Sequence, residues 1–173
     1  LKIGIYKSAK QILPAVPILI LIAMVSATWM YGGIVPSLIY YGLEFINPST
    51  FLVITCLVCS VISVLTGSSW TTCATIGIAF MGIGTIMGYN EAWIAGAVIS
   101  GAYFGDKMSP LSDTTVLAAS TTGVKLFDHI KYLFITTVPA MTIAFIVYAI
   151  LGYSSDAVGA TDNKELTIHL TNT

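Results

Sequence analysis

The chain has 173 residues, of which 56% are hydrophobic and only 9% are charged. Soluble domains carry about 25% charged residues, so this composition belongs to the integral-membrane class and excludes an ordinary water-soluble globule. Seven lysines and no arginine face eight carboxylates, for a net charge of −1. No basic stripe is available to cover phosphates, which excludes nucleic acid as a partner.

Along the chain, the apolar run from about Gln11 to Tyr31 reads as the first membrane span. About 20 helical residues rise roughly 30 Å, the thickness of a hydrocarbon core. Pro14 and Pro17 sit near its start, where a missing N–H costs least. Trp29 and Tyr31 fit an interfacial belt. The chain begins at Leu1 with a lysine-bearing segment and no signal-peptide cleavage pattern, so it reads as truncated or processed. Val35 to Ile46 is too short to span and is bounded by Gly32-Gly33 and Asn47-Pro48. It reads as a short interfacial or re-entrant helix with Glu44 near water.

Residues 51–88 form two apolar arms, Phe51 to Leu65 and Cys73 to Gly88, around the polar "TGSSWTT". Each arm is about 15 residues, roughly 22 Å if helical, which is short of a crossing. The length favours a re-entrant hairpin over two thin spans. Non-helical backbone at depth needs protein or a wet cavity against it. Residues 92–121 follow as a broken helix: one arm from Trp93 to Phe104, a second from Thr114 to Thr121, and "GDKMSPLSD" between them. Pro110 cannot continue a helix. Ala97, Gly101 and Gly105 recur every fourth residue as a stripe that admits another helix closely. "GVKLFDHIK" reads as a basic connector, Tyr132 to Leu151 as the last span, and 154–173 as a polar loop or tail. Lys2, Lys7, Lys10, Lys125 and Lys131 fall on one face, which the positive-inside rule assigns to the cytoplasm.

The chemistry-bearing residues cluster in the two interruptions. A charge at the bilayer centre costs about 2.5–3.5 kcal/mol on insertion scales, so Asp106, Lys107 and Asp113 need partners or a wet cavity. In the plain structural reading, Asp106 pairs with Lys107 at a surface and Asp113 caps the following helix. In the functional reading, Asp113 faces the hairpin tip across a cavity and is the coupling carboxylate and Na⁺ ligand. Ser112, Thr114 and Thr115 add hydroxyl oxygens, as do Thr66, Ser68, Ser69 and Thr71 of the tip. Asp106 is a further cation- or proton-binding candidate, and Lys107 tunes the site. Oxygen-only ligands suit a hard monovalent ion, and a carboxylate there also takes protons. Competition between Na⁺ and H⁺ for one carboxylate becomes exchange under alternating access. Cys56 and Cys59, although spaced as C-x-x-C, sit in an apolar run and read as small helix residues rather than ligands. Trp70 reads as packing the hairpin, and His129 as a solvated interfacial residue.

"TGSSWTTCATIGIAFMGIG", "ISGAYFGDKMSPLSDTTVLAAS" and "LFDHIKYLFITTVPA" together resemble the NhaC-type sodium/proton antiporter family, from about Pro36 to Gly152. The resemblance implies an all-α inner-membrane secondary transporter of two inverted repeats, each with a re-entrant hairpin and a discontinuous helix. Residues 1–153 would be one such repeat. It implies transported Na⁺ and H⁺ with no cofactor, and the lipid bilayer, a second repeat and a homodimer mate as partners. Some members are similar to malate/lactate exchangers, so a Na⁺- or H⁺-coupled organic-anion antiporter is the alternative, as is a fragment of either that does not transport alone. An enzyme is not expected. The intramembrane aspartyl protease motif Gly-x-Gly-Asp lacks its first glycine at Tyr103, and the serine-protease Gly-x-Ser-Gly is absent around Ser68 and Ser69.

Overall fold

The computed structural model describes residues 20–21, 24 and 27–154. Most of the first predicted span and all of the tail beyond Ser154 lie outside them, although residues 27–31 are helical. Every element among the described residues is a helix: α1 (Ile34–Phe45), α2 (Phe51–Thr66), α3 (Ser69–Ile86), α4 (Glu91–Met108), α5 (Asp113–Thr122) and α6 (Leu126–Ser154). A 3₁₀ turn, Pro48–Thr50, leads into α2, with Asn47 Oδ1 accepting from Ser49 N.

The interruptions are narrower than predicted. The hairpin tip is only Gly67 and Ser68. Gly67 takes the left-handed conformation (φ 68°) that ends α2, and Ser68 Oγ accepts the Thr71 N–H at 3.3 Å. A serine cap makes Ser-Ser-Trp-Thr-Thr the start of a helix instead of a loop. The arms are therefore 19 residues (Pro48–Thr66) and 18 residues (Ser69–Ile86), each long and apolar enough to cross a membrane. At about 1.5 Å per residue they reach roughly 27–28 Å, and the length argument for re-entry loses its force. Within α3, Cys73–Gly77 winds as a π-helix.

The first arm of the broken helix also runs longer, because Asn90 Oδ1 caps it through the Ala92 N–H at 2.9 Å. α4 continues through Asp106 and Lys107 to Met108, so the break is Ser109 to Ser112 alone. The predicted basic connector shrinks to Gly123–Lys125, since Leu126 already begins the 29-residue α6, which retains Pro139 inside it. The first turn of α6 supplies the charges that made this stretch read as a loop.

Small residues set the packing. Gly101 stands against the Cys56 carbonyl and Cys59, and Gly105 against Ser60, Ser63 and Val64. Ser63 Oγ donates to Ala102 O at 2.5 Å and Ser109 Oγ to Val64 O at 2.7 Å. Residue numbers rise together across this seam, so α2 and α4 run parallel. The predicted stripe of Ala97, Gly101 and Gly105 is where they meet. α3 descends between them: Gly84 meets Ile94, Gly77 meets Val98, and Ser69 meets Asp106. α6 runs antiparallel to α4, with Gly152 against Ser49 and the Tyr148 hydroxyl 2.9 Å from Ser100 Oγ. The core gathers Phe51, Leu52, Cys56, Cys59, Phe80, Ile83, Ile94 and Val98. Its lower end is closed by Tyr89, which stacks beside Phe51 and donates to Pro48 O at 2.6 Å.

Candidate cation and proton site

Because α2 and α4 are parallel and α3 is antiparallel to both, the hairpin tip and the helix break meet at the same end. At that junction lies Asp106, 8% exposed. Its Oδ2 accepts from Ser69 Oγ at 3.1 Å. Its Oδ1 is buried and has no hydrogen-bond partner. The carboxylate faces the first turn of α3, in the middle of the polar tip.

The break itself is tightly tied. Ser109 and Ser112 are fully buried. Ser109 Oγ, besides donating to α2, accepts from Leu111 N at 3.1 Å. Ser112 Oγ caps α5 through Thr115 N at 3.4 Å and lies 2.8 Å from Thr114 Oγ1. Thr115 Oγ1 reaches back to the Asp106 carbonyl at 3.3 Å. Gly67 is pressed against Leu111, where any side chain would strike backbone. The tip and the break therefore hold each other in place. The last carbonyls of α4 bring negative partial charge to the junction, and the start of α5 brings positive.

Of the predicted site residues, Asp106, Ser69, Ser112 and Thr115 are buried together here. Ser68 and Thr71 are half-buried and bonded to each other at 3.1 Å. Thr66 and Thr114 are exposed. Asp113, the favoured carboxylate from sequence, is exposed in this chain, with its Oδ1 accepting from Thr114 N at 2.8 Å in the first turn of α5. The cap is Ser112, so Asp113 does not cap α5 as its plain structural reading had it but stands one residue inside, a negative charge at the helix N-terminus. Lys107 is exposed. Thr72 and Ser109 lie within the two singled-out motifs without a named ligand role, and Ser63 lies outside both. Thr72 is fully buried, with Oγ1 donating to Ser68 O at 2.9 Å. Nothing in local sequence marks Ser63, or the bond from Ser109 to α2, because both depend on the parallel register of α2 and α4.

Trp70 does not pack the hairpin. It is 69% exposed, because the first turn of α3 turns Ser69 and Thr72 inward and Trp70 away. With Ser69, Cys73, Ile99 and Tyr103 it lines an apolar hollow of about 300 Å³, whose Ser69 wall is the approach to Asp106. Cys56 and Cys59 are fully buried in the core, as small apolar residues would be. Among the described residues no three His, Cys, Asp or Glu side chains gather, so the junction offers one carboxylate surrounded by hydroxyls and carbonyls.

Helices of membrane-crossing length, folded so that two helix breaks meet around a buried carboxylate, define a helical membrane protein with a polar site inside its packed core. The chain belongs to the Na⁺/H⁺ antiporter family, whose model matches residues 4–153 and, a second time, 101–170. It is 54% identical over 137 residues to the Na⁺/H⁺ antiporter NhaC of Alkalihalophilus pseudofirmus, covering 79% of this chain and 30% of that protein. It is 49% identical over 141 residues to the malate-2H⁺/Na⁺-lactate antiporter of Bacillus subtilis, covering 82% and 30%. It is 42% identical over 156 residues to the arginine/ornithine antiporter ArcD of Halobacterium salinarum, covering 90% and 32%. The chain thus spans about a third of the length of these relatives. No solved structure matches it.

Proposed function

We propose that this chain is the ion-handling part of a secondary antiporter that exchanges Na⁺ for H⁺ across the inner membrane, and that Asp106 is the coupling carboxylate. The observation that carries the reading is the orphaned, buried Oδ1 of Asp106. A buried carboxylate oxygen without a partner costs free energy until something bonds to it. A proton on Oδ1 relieves that penalty, and so does a cation held by Oδ1 and neighbouring oxygens. The two are mutually exclusive at one atom, and that exclusivity is the requirement for exchange. Burial sets Asp106 apart from Asp113, which is exposed. Asp113, Ser112, Thr114 and Thr115 then order the mouth of the break.

The finer architecture belongs to the same proposal: one repeat of an inverted-repeat transporter, with α2–α3 as a hairpin ending inside the membrane and α4–α5 as a discontinuous helix. α6 serves as a ruler. Its 28 residues, charged only in the first two turns, make about 42 Å, whereas the hairpin arms make about 27–28 Å from the same level, where Gly152 meets Ser49. The tip then stops well short of the far end of α6. The second, overlapping match of the family model to residues 101–170 is what a family with a repeated α4–α5–α6 unit would give. The remaining ligands would come from a second repeat.

The likeness to a malate/lactate antiporter favours an organic-anion antiporter as the second reading, with the same carboxylate handling the coupling ion. The test uses the whole transporter in proton-loaded vesicles. A Na⁺ pulse should alkalinise the lumen. Asp106→Asn should abolish this, and Asp113→Asn should leave more than half. Equal loss in both variants, or none in Asp106→Asn, sinks the assignment. Counter-flow that requires malate or lactate selects the second reading.

A further inference from the structure

Asp106 and Lys107 are neighbours in sequence but, about 100° apart around α4, face different helices. Asp106 faces α3, while Lys107 stands at one end of a slot between α4 and α6, about 200 Å³ in volume. The rest of its lining includes Ser100, Tyr103, Phe104, Thr137, Met141 and Ala144. Tyr103 is the wall between this slot and the hollow beside Ser69.

Its depth follows from α6. Lys131 is the last charged residue of the first turns, and Thr137 lies six residues further on, about 9 Å deeper. Lys107 is sixteen residues past Glu91, roughly 24 Å along α4 from the opposite end of the helix. Lys107 has no hydrogen bond or ion pair among the described residues. A lysine at such depth requires an anion or a route for its amine to the headgroups.

The order of groups along the slot narrows the occupant. The polar end, Lys107 and Thr137, is the end nearer a membrane surface. Phe104, Met141 and Ala144 follow toward the middle, and the floor is closed by the Ser100–Tyr148 pair. Cation first and apolar walls deeper is the order of an anionic phospholipid, phosphate then acyl chain. A small soluble carboxylate would need several convergent donors; besides the amine the slot has the hydroxyls of Thr137, Tyr103 and Ser100, the last already bonded to Tyr148.

We propose that the α4–α6 slot binds an anionic phospholipid, with its phosphate at Lys107 and Thr137 and an acyl chain along Phe104, Met141 and Ala144. The proposal stands on the membrane setting and does not depend on which ion Asp106 carries. The test titrates phosphatidylglycerol into the purified transporter held in phosphatidylcholine nanodiscs, with thermal unfolding as the readout. Phosphatidylglycerol should raise the unfolding temperature, and its apparent affinity should fall about five-fold in Lys107→Gln, as expected for one lysine near an anionic headgroup. Lys131→Gln, which keeps the slot, should titrate like wild type. Ala144→Leu fills the slot with every charge intact and should also weaken the lipid effect, so the proposal remains testable if Lys107→Gln does not fold. Superimposable titrations for wild type and Ala144→Leu overturn it. So does an equal shift from sodium phosphate or malate without the lipid, which would assign the slot to a soluble anion.

Discussion

Gly105→Ala tests the seam on which the site depends. A Cβ at Gly105 would stand 2.5 Å from Ser63 Cβ and 2.7 Å from Val64 N, and nearer still to the Ser60 carbonyl oxygen. These are α2 atoms at or on the backbone, so no side-chain rotation relieves the clash. Ordinary carbon contacts lie at about 3.5–4.0 Å, so α2 must retreat by roughly 1 Å. That retreat stretches the Ser63–Ala102 and Ser109–Val64 bonds, now 2.5 and 2.7 Å, beyond useful length. Interhelical hydrogen bonds in membranes contribute about 0.6 kcal/mol each, and overpacking a tight contact costs about 1–3 kcal/mol. The expected destabilisation is about 2–4 kcal/mol. Gly96→Ala is the internal control, since its Cβ would meet only the Tyr148 hydroxyl, at 3.3 Å, a side-chain end that can shift. That change should cost under about 1 kcal/mol. Unfolding in detergent by titrated SDS measures both, and Na⁺-driven proton flux should fall with Gly105→Ala and persist in Gly96→Ala. Equal free energies for the two variants would refute the close parallel packing of α2 and α4.

Two further outcomes follow from buried groups away from the site. Burial pushes the Tyr89 phenol above its ordinary value of 10.0. Its stabilisation is therefore whole below about pH 10, the unfolded value, and is lost as pH rises through the higher folded value. In thermal unfolding between pH 8 and 11, the margin of wild type over Tyr89→Phe should be constant at first and shrink above pH 10. A margin that grows with pH would contradict the burial of the neutral phenol against Pro48. Cys56 and Cys59 are fully buried, whereas Cys73 lines the hollow beside Trp70. A membrane-permeant maleimide should label Cys73 in the native protein and the other two only after denaturation; early labelling of Cys56 would contradict the packing of α2.

Local sequence was enough to mark every element but not to bound it. Polar stretches look like loops wherever serine, threonine or asparagine occurs, yet Ser68, Asn90 and Ser112 use those side chains to start helices. "TGSSWTT" and "GDKMSPLSD" consequently contain far more helix than their polarity suggests. The stripe of Ala97, Gly101 and Gly105 was legible because a spacing of four on a helix puts small residues on one face. Its partner was not, since nothing local in α2 names α4 as the neighbour. The same limit governs the carboxylates. Asp106 and Asp113 lie in one motif and carry the same charge, and only burial separates them.

Composition and hydropathy by themselves determined a membrane-embedded helical chain, because so few charges can coat no soluble surface. The motifs determined where the helices are interrupted, because proline and left-handed glycine end a helix wherever it lies. The tertiary structure decided which interruption meets which. Parallel α2 and α4 with α3 reversed between them bring Ser69 onto Asp106, leave one of its oxygens without a partner, and turn Lys107 toward α6 instead. A carboxylate's chemistry depends on what surrounds it in space, and those surroundings come from residues 37 positions away in the chain.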